Sequence, residues 1–231
     1  MGSPRLPVAV AVGSLVVATR VRLRNWGATA GEVCSPLPGD ELIPDPAITV
    51  TRGVTVDAPG EAVWPWLVQI GQGRGGMYSY DRLENLIGLD IHSTSEIRPE
   101  WQRLSVDDRV TLVRPGWMRI AAGYSLPVAH LIPGRAIVLR QSPPEHPWNA
   151  VWSLHVLPLD RRHCRLVSRG RAARRVGWPG WLDWSVDALM DPVTLVMTRK
   201  MLLGIKVRAE TSQRATPKHT LVPSGGRCSS A

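Results

Sequence analysis

The sequence predicts an α+β domain. Its elements come in the order of one strand, two short helices, a run of antiparallel strands and one long amphipathic helix available to cover a sheet face. Three observations predict it. Ile48, Val50, Val54 and Val56 alternate with Thr49, Thr51 and Thr55, the period-2 pattern of a half-buried strand. From Val106 onward, apolar runs are separated by turn signals such as Pro133-Gly134 and Asp160-Arg-Arg-His163. Near the end, Val193, Met197, Met201 and Ile205 repeat every fourth residue, the stripe of a helix with one buried face.

Each element follows from local chemistry. The first strand spans Ile48 to Val56 and breaks at Asp57-Ala58-Pro59. Val63, Trp64 and Leu67 then recur at helical spacing, and Pro65 falls near the helix start, where a missing N–H is tolerated. Gly71-Gln-Gly-Arg-Gly-Gly76 stops that helix. A second one carries Tyr80, Leu83, Leu86 and Ile87 on one face, with Ser79 as a cap and Gly88 as its end. Strands are expected at 109–113, 118–125, 128–132, 136–140, 151–157 and 164–171. Trp152, Leu154 and Val156 point to one face of theirs. Asp191-Pro192 reads as an N-cap followed by Pro at the first position of the long helix, with a loop or shorter helix before it.

The Val-x-Val-x-Ala-Pro-x-x-x-Val-Trp opening (Val54 to Trp64), Pro133-Gly-Arg-Ala-Ile-Val-Leu139, Trp152-Ser-Leu, Cys164-Arg-Leu-Val-Ser168 and the closing amphipathic helix occur in one order. Together they resemble the START/Bet v 1-like (SRPBCC) superfamily, in an uncharacterised bacterial branch similar to polyketide cyclases and dehydrases. The resemblance covers roughly residues 47–209 and implies a helix-grip fold: a curved antiparallel sheet wrapped around the C-terminal helix, with a cavity between them for an apolar ligand. Outside it lie an apolar-then-basic segment (1–24), an extended arm (25–46) and a tail (210–231) whose polar composition predicts disorder. The arm is either an inert linker or a strap across the domain, for which Leu42 and Ile43 give it something to bury.

Composition narrows the function. The formal net charge is +9, almost all from arginine, yet the arginines are scattered and no aromatic-interleaved nucleic-acid motif accompanies them. A specific nucleic-acid partner is therefore not expected. Three cysteines without metal spacing argue against both a disulfide framework and a zinc site, and favour a reducing, cytoplasmic setting. His130, His146, His155 and His163 lack ligand spacing as well, so no metal and no cofactor are expected. Leu6–Ala18 is apolar and is followed by Arg20, Arg22 and Arg24. It is shorter than the ~20 residues of a spanning helix, which leaves open a weak tether to the cytoplasmic face of a membrane. Oligomeric state is not legible.

The Gly71–Gly76 run matches G-x-G-x-x-G, but it follows a helix and precedes antiparallel strands, the wrong context for a dinucleotide site. The chain has ten Trp and no Phe, so flat apolar walls carrying a few N–H donors suit a ligand with a polar end. The candidate ligand-binding residues are Trp64, Tyr80, Glu84, His92, Trp101, Trp152, Met197 and Met201. Two functions stay open on them. One is binding of a small hydrophobic molecule such as a lipid or polyketide. The other is a cyclase/dehydratase-type enzyme in which Glu84 or His92 acts as acid or base. For the Tyr80–His92 stretch a solvated helix face is the plainer reading, and no catalytic residue is assigned.

Overall fold

A computed structural model describes residues 5–86, 88–117 and 122–215; the side chains of 5–13, 83 and 215 lie outside the description. Six strands form one antiparallel sheet: β1 (Ile48–Val56), β2 (Arg109–Val113), β3 (Tyr124–Ile132), β4 (Ala136–Gln141), β5 (Ala150–Pro158) and β6 (Cys164–Ala172), in the order β1-β6-β5-β4-β3-β2. The five later strands form a meander, and β1 returns to pair with the last of them. Helices α1 (Arg5–Arg24) and α2 (Ala30–Cys34) precede the sheet, α3 (Gly60–Val68) and α4 (Asp81–Leu86) follow β1, and α5 (Gly180–Ala215) closes the chain. The curved sheet with a long C-terminal helix against it is the α+β helix-grip arrangement that the resemblance implies.

The inner face of the sheet holds the core. Register places Ile137 opposite Leu154, Val156 opposite Leu166, and Leu166 opposite Val54, so one apolar set runs across the strands. These side chains pack with Val63, Trp66 and Leu67 of α3 and with Met201, Leu202, Ile205 and Ala209 of α5. Gly204 lets the chain at Tyr78 lie against α5: a Cβ there would meet the Tyr78 carbonyl oxygen at 2.3 Å.

The outer face is covered by residues 25–46. Ile43 is buried with Val138 and Val151, and Leu42 packs beside them. Gly27, at φ +69°, lies against the edge strand, where a Cβ would sit 2.2 Å from the Gly53 carbonyl oxygen. The segment contains regular structure that its Gly/Pro-rich composition hides. Thr29 and Glu32 form a capping box that starts α2.

Three expectations are corrected. First, α5 does not begin at Asp191-Pro192. It begins eleven residues earlier, at Gly180, and passes through Pro192. Asp183, Asp187 and Asp191, four residues apart, place carboxylates on one face of its first half; Arg175 bonds the first two, and Arg20 and Arg24 of α1 bond the third. Those ion pairs lie in the turns before Pro192, whose ring removes one helical hydrogen bond. Second, α5 continues to Ala215, so the expected tail boundary at 210 falls inside it; 216–231 lie outside the described residues. Third, the runs expected at 118–125 and 128–132 contribute to a single strand, β3, which begins at Tyr124 and passes through Pro127. Its pairing with β4 shifts register between Val128 and His130, beside the proline that lacks a donor; 118–121 lie outside the described residues.

Among the described residues no helix is long and apolar enough to cross a membrane. Leu15, Val17 and Val21 of α1 are exposed, as are Trp181 and Trp184 of α5. Arg20 stacks on the Trp184 ring at 5.0 Å.

Candidate ligand cavity

Two hollows open between the sheet and α5, and they share Trp152, Thr194 and Thr198. The first, of about 300 Å³, is walled by Met77, Leu89, Ile91, Leu112, Val193, Met197 and Met201, with Ser79 and Glu84 as its other polar groups. The second, of about 320 Å³, lies beneath the start of β1 and is lined by Ile48, Val50, Arg52, Gln141 and Ser168. Each is at the small end of the range for ligand sites. The shared wall is oriented: the Trp152 indole N–H donates to Ser168 Oγ at 3.0 Å, fixing the ring across the sheet face.

Glu84 is the chemically distinctive group of the apolar hollow. It sits on α4, buried, and Ser79 Oγ donates to its Oε1, while its Oε2 is buried and has no partner. Burial pushes its carboxyl above the usual range; the Ser79 bond opposes this and the nearby Asp81 adds to it. A carboxyl in that state can hold a proton and offer it to a ligand oxygen. Asp81 itself faces Ser93, accepting from its N–H and its hydroxyl at 2.7 Å, and so pins the loop after α4.

Of the eight sequence candidates, Glu84, Trp152, Met197 and Met201 meet in the apolar hollow. The other four lie elsewhere. Trp64 is half-buried at the margin of the core. Tyr80 stacks under Lys200, at 5.6 Å. Trp101 stacks under Arg98, at 4.9 Å. The His92 side chain is 78 % exposed beside Asp90, outside the cavity. Tyr80 precedes α4 and its carbonyl accepts the Glu84 N–H at 2.9 Å, but its ring lies with Lys200 and does not line the hollow.

The residue that sequence reading missed is Arg52. It occupies the inward position in Ile48-x-Val50-x-Arg52-x-Val54-x-Val56, and that break in the alternation was the available signal. It is 2 % exposed. Its Nε donates to the Leu23 carbonyl, Nη1 to Thr198 Oγ1, and Nη2 to Thr194 Oγ1 and the Asp191 carbonyl. Burial lowers its pKa to about 10, with Asp191 opposing and Arg24 adding to the shift.

Among the described residues no group of His, Cys, Asp and Glu could hold a metal ion. Cys34 and Cys164 are free thiols, and burial pushes Cys164 up to about 11, where it is unreactive.

No protein-family model matches the chain, and no curated protein matches it in sequence. Solved structures do resemble it. They include an aromatase/cyclase, Zhui, from Streptomyces sp. R1128, at 19% identity over 73% of this chain and 96% of that one, with a TM-score of 0.41. A Polyketide_cyc-like protein from Corynebacterium glutamicum is 14% identical over 74% of this chain and 96% of its own, with a TM-score of 0.40. An HSP90 activator from Plasmodium falciparum is 12% identical over 70% and 95%, with a TM-score of 0.39.

Proposed function

We propose that the protein binds a small hydrophobic molecule between its sheet and α5. The observation that carries this reading is the apolar hollow itself: Met77, Leu89, Ile91, Leu112, Met197 and Met201 surround a single buried carboxyl. Apolar walls with one or a few fixed polar groups are the usual composition of a ligand site. The two methionines supply unbranched, polarizable lining that adapts to shape.

Native mass spectrometry of the 231-residue chain, followed by denaturing extraction, tests it. The expected result is a discrete apolar molecule that copurifies, or uptake of added decanol. Met197→Glu places a charge on a half-buried cavity wall and should abolish uptake with the fold intact by circular dichroism. A folded Met197→Glu protein that still takes up ligand would place binding elsewhere.

A second reading, catalysis of the cyclase/dehydratase type in the same hollow, has one observation in its favour: the partnerless Oε2 of a carboxyl that burial keeps prone to protonation. Glu84 is then the proton donor, and His92, outside the hollow, has no part. Glu84→Gln separates the readings. Binding alone survives it, whereas turnover would fall by about two to four orders of magnitude.

A further inference from the structure

Arg52 and Arg169 sit on neighbouring strands, each 2 % exposed, yet they are partnered differently. Arg169 directs all five N–H groups at protein acceptors: Nε to Thr51 Oγ1, Nη1 to the Ser35 carbonyl and Asp40, Nη2 to the Glu32 and Val33 carbonyls. One of those acceptors is a carboxylate. Arg52 places four of its five, all on neutral oxygens, and the fifth, on Nη1, remains. Among the described residues no carboxylate lies within salt-bridge distance of Arg52. The nearby Asp191 is taken by Arg20 at 2.8 Å and Arg24 at 3.0 Å. Two guanidiniums thus share the carboxylate nearest Arg52, and of Asp191 Arg52 bonds only the backbone carbonyl, whereas a buried charge is ordinarily paired.

We infer that Arg52 anchors the anionic head of the ligand: the protein takes a single-tailed amphiphile with a small carboxylate on Arg52 and its apolar body against Trp152. This rests on the proposed apolar-ligand function and adds the head group and its direction. The head belongs at Arg52 because the other hollow offers a carboxylate no cation, its titratable group being the Glu84 carboxyl. Arg52 also lines the hollow directly, together with Gln141, Ser168 and a second arginine, Arg171, whose guanidinium is engaged with Asp40 and the Pro44 carbonyl. The Tyr124 hydroxyl donates to Gln141 Oε1 at 2.6 Å and orients that carboxamide. If Arg52 were only a strut joining β1 to α1 and α5, it would give no preference among head groups.

The test uses three probes with one tail: decanoate, decanol and decylammonium, titrated calorimetrically into the wild-type chain at pH 7. The expected order is decanoate tightest, by about tenfold to a hundredfold over decanol, which is the range of one or two charge-assisted hydrogen bonds, with decylammonium weakest. Arg52→Gln should bring decanoate to the level of decanol while decanol binding holds, and Arg52→Lys should restore part of the preference. Equal wild-type affinity for decanoate and decanol overturns the anion anchor and leaves the apolar cavity standing. Failure of all three probes overturns the cavity reading as well. The wild-type comparison decides even if Arg52→Gln does not fold.

Discussion

The two faces of the sheet are stabilised by different chemistry. The outer face lies under a polar strap held chiefly by Arg165 and Arg169, with Arg171 bonding the Pro44 carbonyl and Asp40. Arg165 grips Glu32 through Nε and Nη2 and also bonds the Gly27 carbonyl, while Arg169 clamps three strap carbonyls and Asp40. The inner face is apolar, and its polar groups are incompletely partnered: among the described residues Glu84 Oε2 has no donor and Arg52 no counter-ion. Saturated arginines hold the chain together, and unsaturated groups beside a hollow await something from outside. Arg171 joins the two faces: among the described residues its buried Nε has no partner, its guanidinium reaches Asp40 of the strap at 3.4 Å, and it also lines the second hollow.

Breaking the outer clamp should have the largest effect. Arg169→Leu leaves three carbonyls without their arginine donor and Asp40 with only the Leu37 N–H and the more distant Arg171, and breaking a buried pair from one side costs about 3–5 kcal/mol. Urea denaturation should show that loss, and limited proteolysis should cut within 25–46 before the rest of the chain. Equal resistance of mutant and wild type would mean that the strap is held by Ile43 and its neighbours alone.

His155 comes next. It is buried under the strap, with its Nε2 2.8 Å from Ser153 Oγ. Burial, and secondarily the adjacent Arg169, lower its pKa to about 4. Between pH ~6.5 and ~4 the unfolded chain binds a proton that the folded chain does not. Stability contributed by the neutral ring is therefore complete above pH ~6.5 and declines as pH falls to ~4, by up to about 3 kcal/mol. His155→Asn should flatten that slope in melts across the interval; an unchanged slope would assign it to other groups.

On the inner face the effects on stability should be smaller. Arg52→Gln loses hydrogen bonds but also removes a buried charge that no carboxylate neutralises, so it should destabilise by about 1–2 kcal/mol, less than Arg169→Leu. A loss as large as that of Arg169→Leu would erase the contrast between the faces. Glu84→Gln should be smallest. The carboxyl's folded pKa is raised, so its protonated form is favoured by folding, and that contribution fades as pH climbs through the raised value. The neutral amide escapes this loss, so the mutant should be more stable relative to wild type at pH 7 than at pH 4. Wild type and mutant with parallel pH profiles would show that Glu84 ionises freely.

Much of the scaffold was legible from periodicity. Val54 and Val56, Trp152 to Val156, and Met201 to Ile205 declare their buried faces by spacing alone, because a strand repeats every two residues and a helix every 3.6. Trp152, Met197 and Met201 were legible as cavity wall for the same reason. Helix limits were not. Asp191-Pro192 has the local chemistry of a start, and only Arg20 and Arg24, 171 and 167 residues away in sequence, convert that cap into a mid-helix ion pair. Tyr80 and His92 are close to Glu84 in sequence but do not share its hollow: the Tyr80 carbonyl accepts the Glu84 N–H at 2.9 Å while its ring lies under Lys200, and the His92 side chain is exposed.

The sequence by itself determined the α+β order, the inner faces and the apolar stripe of α5. These depend on local periodicity and on burial, which each segment encodes alone. Only the tertiary structure decided which polar groups are satisfied. Arg52 and Arg169 are the same residue at inward and outward positions of one sheet, and neither sequence context says which will meet a carboxylate. Partnering is a property of distant segments brought together, so the groups left without partners become visible only in the folded chain.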